Sequence, residues 1–264
     1  MSEKEYKVSR CAVAFIDVLG SSDAILQDEE KSLNTIHKAY TESVLHIFKY
    51  YRYRKKADMK PKVKIFSDNI VIGVPYEEKW IDDHVSFEAD MSCIALSSAV
   101  ALSANIQEYL FKRGWLVRGG ITLGNFFTDN IMVWGSGLLR AYKLESTVAF
   151  FPRIVIDPTI AEKFAFFSTQ QTAKHRYMLE EYIRKDADGL YSVEFLNKYL
   201  ELIENPIEQF FDKQLDMVQE QLKKYKNKTN VYQKWLWAYN YVQERRIVLT
   251  KGNDHATSDE GQRG

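Results

Sequence analysis

Cysteine is scarce, net charge is absent and no long apolar run occurs in this 264-residue chain. Two cysteines, Cys11 and Cys93, exclude a disulfide scaffold, and with no signal peptide ahead of them the expected location is the cytoplasm. Lys+Arg 36 against Asp+Glu 36 leaves no global field to draw the chain to nucleic acid or to an anionic membrane, so any anion site must be local. The longest apolar stretch, Cys93 to Ile106, is broken by serines and too short to span a bilayer, so no membrane partner is expected. His37, His46, His84, His175 and His255 lack metal-ligand spacing. No Gly-x-x-x-x-Gly-Lys-Ser loop occurs, and Ser21 and Ser22 sit in no nucleophile elbow, which removes P-loop and serine-hydrolase chemistry.

What remains is a composition of 45% hydrophobic and 27% charged residues, that of a chain that folds. Cys11 to Leu19 is a continuous apolar run, as in a strand buried on both faces, with Asp17 as its anomaly. Gly20-Ser-Ser-Asp23 breaks the strand and opens a helix with apolar positions at Leu33, Ile36, Tyr40, Val44 and Phe48. The basic stretch 49–64 reads as a solvated linker. Val63 to Val74 reads as a hairpin hinged at Ser67-Asp68-Asn69. A helix over 81–113, strands over 115–124 and 130–134, a helix over 135–146 and a last strand over 153–156 complete an α+β sheet with helices on one face. Beyond Asp157 the pattern is helical, and Phe211, Leu215, Val218, Leu222 and Tyr225, then Val231, Trp235, Ala238 and Val242, predict a helical hairpin. The expected division is a catalytic domain over 1–160, a helical extension over 161–250 and a disordered tail over 251–264.

A carboxylate in a buried strand needs a cation, and the chain presents one at Asp17 and another at Asp68, on a hairpin tip. Either the two share metal, or each belongs to a structural salt bridge. If the hairpin lies beside the first strand, both acids converge at one sheet edge, where two divalent cations suit phosphoryl transfer. Leu19-Gly-Ser-Ser22 would then offer backbone N–H groups to terminal phosphates. Arg118 is equally a phosphate ligand or half of an ion pair.

Three segments in order resemble the class III nucleotidyl cyclase catalytic domain, and most closely the pyrimidine cyclases of the Pycsar antiphage system. They are Phe15-Ile-Asp-Val-Leu-Gly-Ser-Ser22, Lys64-Ile-Phe-Ser-Asp68 with Ser in place of the family's Gly, and Arg118-Gly-Gly-Ile-Thr-Leu-Gly124. A fourth, Met132 to Glu145, keeps Trp134, Gly135 and Glu145 of the purine cyclase pattern. It places Met132, Leu139 and Lys143 where that pattern has a base-selecting Asp, a transition-state Asn and a transition-state Arg. The resemblance implies a cyclase fold, and two Mg²⁺ or Mn²⁺ ions held by Asp17, Asp68 and the Ile16 backbone carbonyl. It also implies a homodimer in which Lys64, Met132 and Lys143 of one chain, with Arg140 or Arg118 as alternatives at the α-phosphate, reach the metal half of the other. The implied reaction turns UTP or CTP into a 3′,5′-cyclic nucleotide that acts on a separate effector. A purine cyclase, or a cyclase-homology protein that binds nucleotide without turnover, stands as the alternative, the second because of Leu139.

Overall fold

The computed structural model describes residues 5–53, 60–76, 91–162, 182–197 and 206–251. The chain divides into two units, 1–194 and 195–264. In the first, β1 (Ser9–Leu19) is followed by helices α1 (Ser21–Gln27) and α2 (Glu29–Tyr53), the hairpin β2 (Lys62–Phe66) and β3 (Asn69–Pro75), helix α3 (Met91–Phe111) and strand β4 (Leu116–Thr128). Their sheet order, β2-β3-β1-β4 with every pairing antiparallel, is that of a ferredoxin-like β-α-β-β-α-β unit. The expected α+β class is borne out. β4 then pairs with the short β5 (Val133–Trp134), helix α4 (Ser136–Thr147) follows, and β6 (Ile154–Ile156) joins β4 in parallel.

β1 is central and buried on both faces, as its apolar run requires, although both neighbours are antiparallel. Residues alternate along it, so Cys11, Val13, Phe15 and Asp17 share one face with Arg118, Gly120, Thr122 and Gly124 of β4. Ala12, Ala14, Ile16 and Val18 share the other with Ile70, Ile72 and Ile121, all buried, and α3 covers that side. Its run of Ala, Ser and Val packs Leu96, Ala99, Ser103, Ile106 and Leu110 fully inward. α4 lies on the first face, which corrects the expectation of helices on one face only. The reason lies in two glycines of β4. A Cβ at Gly120 would stand 2.5 Å from the Ala141 carbonyl oxygen and Leu144 Cβ, and one at Gly124 would stand 2.6 Å from Gly137 Cα. Small residues on strand and helix together let α4 seat directly on the sheet.

α2 buries Ser32, Ile36 and Ala39, while Leu33 stays 66% exposed, so the inward stripe is displaced from the one its apolar residues alone suggest. The basic stretch at 49–64 is no simple linker: α2 runs to Tyr53 and β2 begins at Lys62, with 54–59 outside the described residues. The same holds for 81–90 of the expected third helix.

The larger departure follows Asp157, where a mainly helical extension was expected. A hairpin of β7 (Ile183–Lys185) and β8 (Tyr191–Val193) instead extends the sheet beyond β6, so the first unit ends at Glu194 rather than near 160. Its strands are three residues long, too short for a period to show. Buried Arg153 anchors it, bonding Asp186 at 2.6 Å and gripping Asp188 bidentately, while Arg184 meets Asp186 at 2.7 Å. Burial works against the Arg153 charge, but the bonds to Asp188 and Asp186 outweigh it and hold the pKa above the usual arginine range. A chain ending after Asp157 would lose both carboxylates that hold that guanidinium and would leave the apolar edge strand β6 without its β8 neighbour. It is therefore expected to be insoluble; a soluble product that melts cooperatively by circular dichroism would contradict this role for the hairpin.

The second unit contains the expected helical hairpin, α5 (Ile207–Lys224) and α6 (Thr229–Lys251). Phe211, Leu215 and Val218 bury against it from one helix and Trp235, Ala238 and Val242 from the other. Tyr241 stacks on Phe195 and Trp237, and its hydroxyl accepts the Leu196 amide at 3.0 Å. The tail expected from 251 lies outside the described residues except for Lys251. No described helix is long and apolar enough to cross a membrane.

Candidate active site at the end of strand β1

The site begins where β1 stops. Asp17 pairs across the ladder with Asn69 on one side and Arg118 on the other, so the β2–β3 turn and the start of β4 meet at the same sheet edge. The Val18 amide donates to the Asp68 carbonyl oxygen at 3.0 Å and ties the hairpin tip to the strand end. Gly20 then turns the chain with φ 76, a left-handed conformation that glycine adopts without steric cost, and α1 begins. Ser21 is buried there and its hydroxyl donates to Asp68 Oδ2, while Asn69 Nδ2 donates to Asp68 Oδ1 at 3.0 Å. Ser67, where the resembled family has Gly, carries φ 55, so the tip keeps the glycine-like conformation without the glycine.

Asp17 has its own partner. Arg118 Nε stands 3.3 Å from Asp17 Oδ2 and 2.5 Å from Glu145 Oε1. Glu145 descends from α4 and is only 3% exposed, whereas Asp17 and Arg118 remain 22% and 29% exposed. Both acids thus have partners within the chain, Asp17 in an ion pair with Arg118 and Asp68 in hydrogen bonds from Ser21 and Asn69. The donors at the edge are nevertheless all oxygen, and the described residues hold no cluster of three or more His, Cys, Asp or Glu. Carboxylate oxygens at this edge would suit a hard cation such as Mg²⁺ or Mn²⁺, which takes its remaining ligands from other oxygen donors and water.

The other predicted site residues fall into three places. Leu19, Gly20, Ser21 and Ser22 follow Asp17 directly, with Ser22 exposed, and Ile16 lies inside the ladder between Ile70 and Gly119. Lys64 stands on the edge strand β2, on the same face as Phe15. Met132, 46% exposed, lies in the β4–β5 turn, and its amide donates to Asp129 Oδ1 at 2.9 Å. That bond, the Ile131 amide at 2.8 Å and the nearby charge of Lys64 hold the Asp129 carboxyl below its ordinary range. Lys64 and Met132 therefore flank one acidic turn of the same chain. Arg140 and Lys143 are exposed on the outer side of α4, Arg140 donating to the Leu123 carbonyl at 3.4 Å, beside exposed Leu139 and Tyr142.

Neither a protein-family model nor a curated protein matches the chain. Solved structures do align with it. The adenylyl cyclase CyaB from P. aeruginosa superposes with TM-score 0.42 at 15% identity, covering 72% of this chain and 96% of that one. The guanylyl cyclase Cya2 gives TM-score 0.37 at 12% identity, with 71% and 92% covered. A class III adenylyl cyclase-like ATP-binding protein from Pseudomonas aeruginosa gives TM-score 0.37 at 10% identity, covering 59% of this chain and 35% of that one. At these identities neither activity nor substrate transfers to this chain.

Two residues took no part in the sequence reading of the site. Glu145 agreed with the resembled pattern but was given no task; its signal is the spacing Gly137, Ala141, Glu145, which places a carboxylate on the small-residue face of α4, where it must be paired. Asp129 was not singled out at all, and its role in turning the chain at Met132 has no signal beyond the Asp-Asn dipeptide.

Proposed function

We propose that the protein is a nucleotidyl cyclase that converts UTP or CTP into the 3′,5′-cyclic monophosphate and pyrophosphate, supplying a messenger to a separate effector in antiphage defence. The observation that carries this reading is the convergence of Asp17 and Asp68 at one sheet edge, in the segments that resemble cyclase metal-site motifs. Asp17 and Asp68 would hold two divalent cations. Bound there, the ions would lower the pKa of the ribose 3′-hydroxyl and neutralise the departing pyrophosphate. Ser21 holds Asp68 in place from the α1 side, and Arg118 is within reach of anionic oxygen at the same edge. No side-chain nucleophile is needed.

The site is completed by a second copy of the chain. Ile131, Trp134 and Leu139 are 90%, 64% and 69% exposed around the basic groups of α4, a set of large apolar side chains that a partner surface would cover. Lys64 and Met132 would then meet the base, and Lys143 or Arg140 the α-phosphate. Met132 offers no directional polar pair to a purine edge, which favours the smaller ring. A second reading, nucleotide binding without turnover, is favoured by the Arg118 contact to Asp17 and by Leu139.

Incubation with each of the four ribonucleoside triphosphates and Mn²⁺, followed by chromatography, decides between them: a cyclic pyrimidine nucleotide is expected, a cyclic purine product would overturn the specificity, and no product would favour the binding protein. Met132→Asp is expected to lower kcat/KM for the pyrimidine substrate about tenfold or more without conferring ATP use, since one carboxylate does not rebuild a purine site. Unchanged kinetics with all four triphosphates would place Met132 outside the pocket.

A further inference from the structure

We propose that Arg118 is a resident stand-in for metal, occupying Asp17 when no divalent cation is bound and withdrawing onto Glu145 when one arrives. This rests on the reading of Asp17 and Asp68 as metal ligands. The chain of contacts is carboxylate, guanidinium, carboxylate, and its two ends differ. Asp17 is a cross-strand neighbour of Arg118, lies at the open edge and is reached at 3.3 Å; Glu145 is buried behind it on a helix seated directly on β4 and is reached at 2.5 Å. The Nε–H is hydrogen-bonded to Asp17 Oδ2 at the half-open end, and Glu145 Oε1, buried 2.5 Å from the same nitrogen, is the second acceptor to which it can turn when that bond is exchanged. An arginine needed only to balance Asp17 would not require a second, buried carboxylate. An arginine that must leave Asp17 yet stay at the edge does require one.

A divalent cation at Asp17 Oδ2 would compete with the guanidinium for that oxygen, and the two charges repel each other at that distance. Arg118 therefore lowers the metal affinity of the nucleotide-free protein and keeps the strand-end carboxylate paired meanwhile. Once displaced, its charge remains tethered beside the bound ions, where triphosphate oxygens arrive. Glu145 acts here as a positioning residue, since it touches neither metal nor substrate.

The test reads Mn²⁺ binding to the full chain without nucleotide, by the electron paramagnetic resonance signal of free Mn²⁺. Arg118→Met combined with Glu145→Gln removes the competing charge without leaving a buried carboxylate unpaired, and should bind Mn²⁺ about tenfold more tightly than the wild type. Glu145→Gln alone takes the charge from that second acceptor, leaves Arg118 committed to Asp17, and should weaken binding severalfold. Asp17→Asn is the control. If Asp17→Asn abolishes binding but the double variant binds no more tightly than the wild type, the stand-in role is wrong and the metal assignment survives. If Mn²⁺ binding is indifferent to Asp17 in every background, the metal assignment fails and the stand-in role with it.

Discussion

Asp17→Asn and Asp68→Asn are each expected to lower turnover of the pyrimidine triphosphate by about a thousandfold or more, the scale on which loss of a charge-stabilising group acts in phosphoryl transfer. The fold should survive both. In Asp17→Asn, Arg118 keeps Glu145 at 2.5 Å, and the new amide oxygen can still accept its Nε–H. In Asp68→Asn, the amide oxygen can still accept from Ser21, the backbone carbonyl still receives the Val18 amide, and the exchange costs one bond from Asn69 Nδ2 unless the Asn69 amide turns its oxygen to the new NH2. Melting temperature should therefore move little while activity collapses. Because each acid already has a partner within the chain, no gain of stability is expected from relieving repulsion between them. Product formation near the wild-type rate in either variant, measured in the presence of Mn²⁺, would remove that residue from the metal site. Collapse of activity together with loss of the thermal transition would instead assign it a structural role.

The parts of this site that were legible in the sequence are those in which a residue contradicts its local pattern. Asp17 in an apolar run, and Asp68 between two β-branched runs, stood out because burial of a carboxylate is costly, and the structure places them at one edge. The succession of strand, helix, hairpin and helix was legible for a similar reason, since the apolar runs and the turn at Ser67-Asp68 fix where strands start and stop, whereas the order of strands within the sheet was not. What the sequence hid were features that depend on contacts across the fold. Arg118 looked equally like a phosphate ligand or an ion pair because its partners are Asp17, 101 residues away on β1, and Glu145 on α4. α4 on the face opposite α3 was hidden because Gly120 and Gly124 read as ordinary strand glycines until a helix is laid on them. The β7–β8 hairpin was hidden because its adhesion to the sheet comes from Arg153, Asp186 and Asp188, ionic partners with no periodicity.

Recovery of activity from two inactive variants is the expected result that bears on the composite site. On the proposed dimer, Asp17→Asn would lack a metal ligand but still offer Lys143 to a partner, whereas Lys143→Ala would keep both acids and offer its partner nothing at the α-phosphate. Each homodimer is crippled at both of its sites. In a mixed dimer, the acids of the Lys143→Ala chain meet the intact Lys143 of the Asp17→Asn chain, so one site is whole and the other carries both lesions. Random pairing at equal ratio makes about half the dimers mixed, each with one working site of two, so about a quarter of wild-type activity should return on mixing and refolding. The exposure of Lys143 on the outer side of α4, beside Leu139 and Tyr142, is what makes it available to a partner; Glu145, on the inner side of the same helix, is committed to Arg118 of its own chain. Glu145→Gln should consequently not complement Asp17→Asn in the way that Lys143→Ala does, because both lesions then fall on the metal half of the site. Verified mixed dimers of Asp17→Asn and Lys143→Ala that regain nothing would show that Lys143 does not act across the interface. Full activity of Lys143→Ala alone would pass the role to Arg140, one turn earlier on the same exposed face, and the same mixing experiment with Arg140→Ala would then decide it.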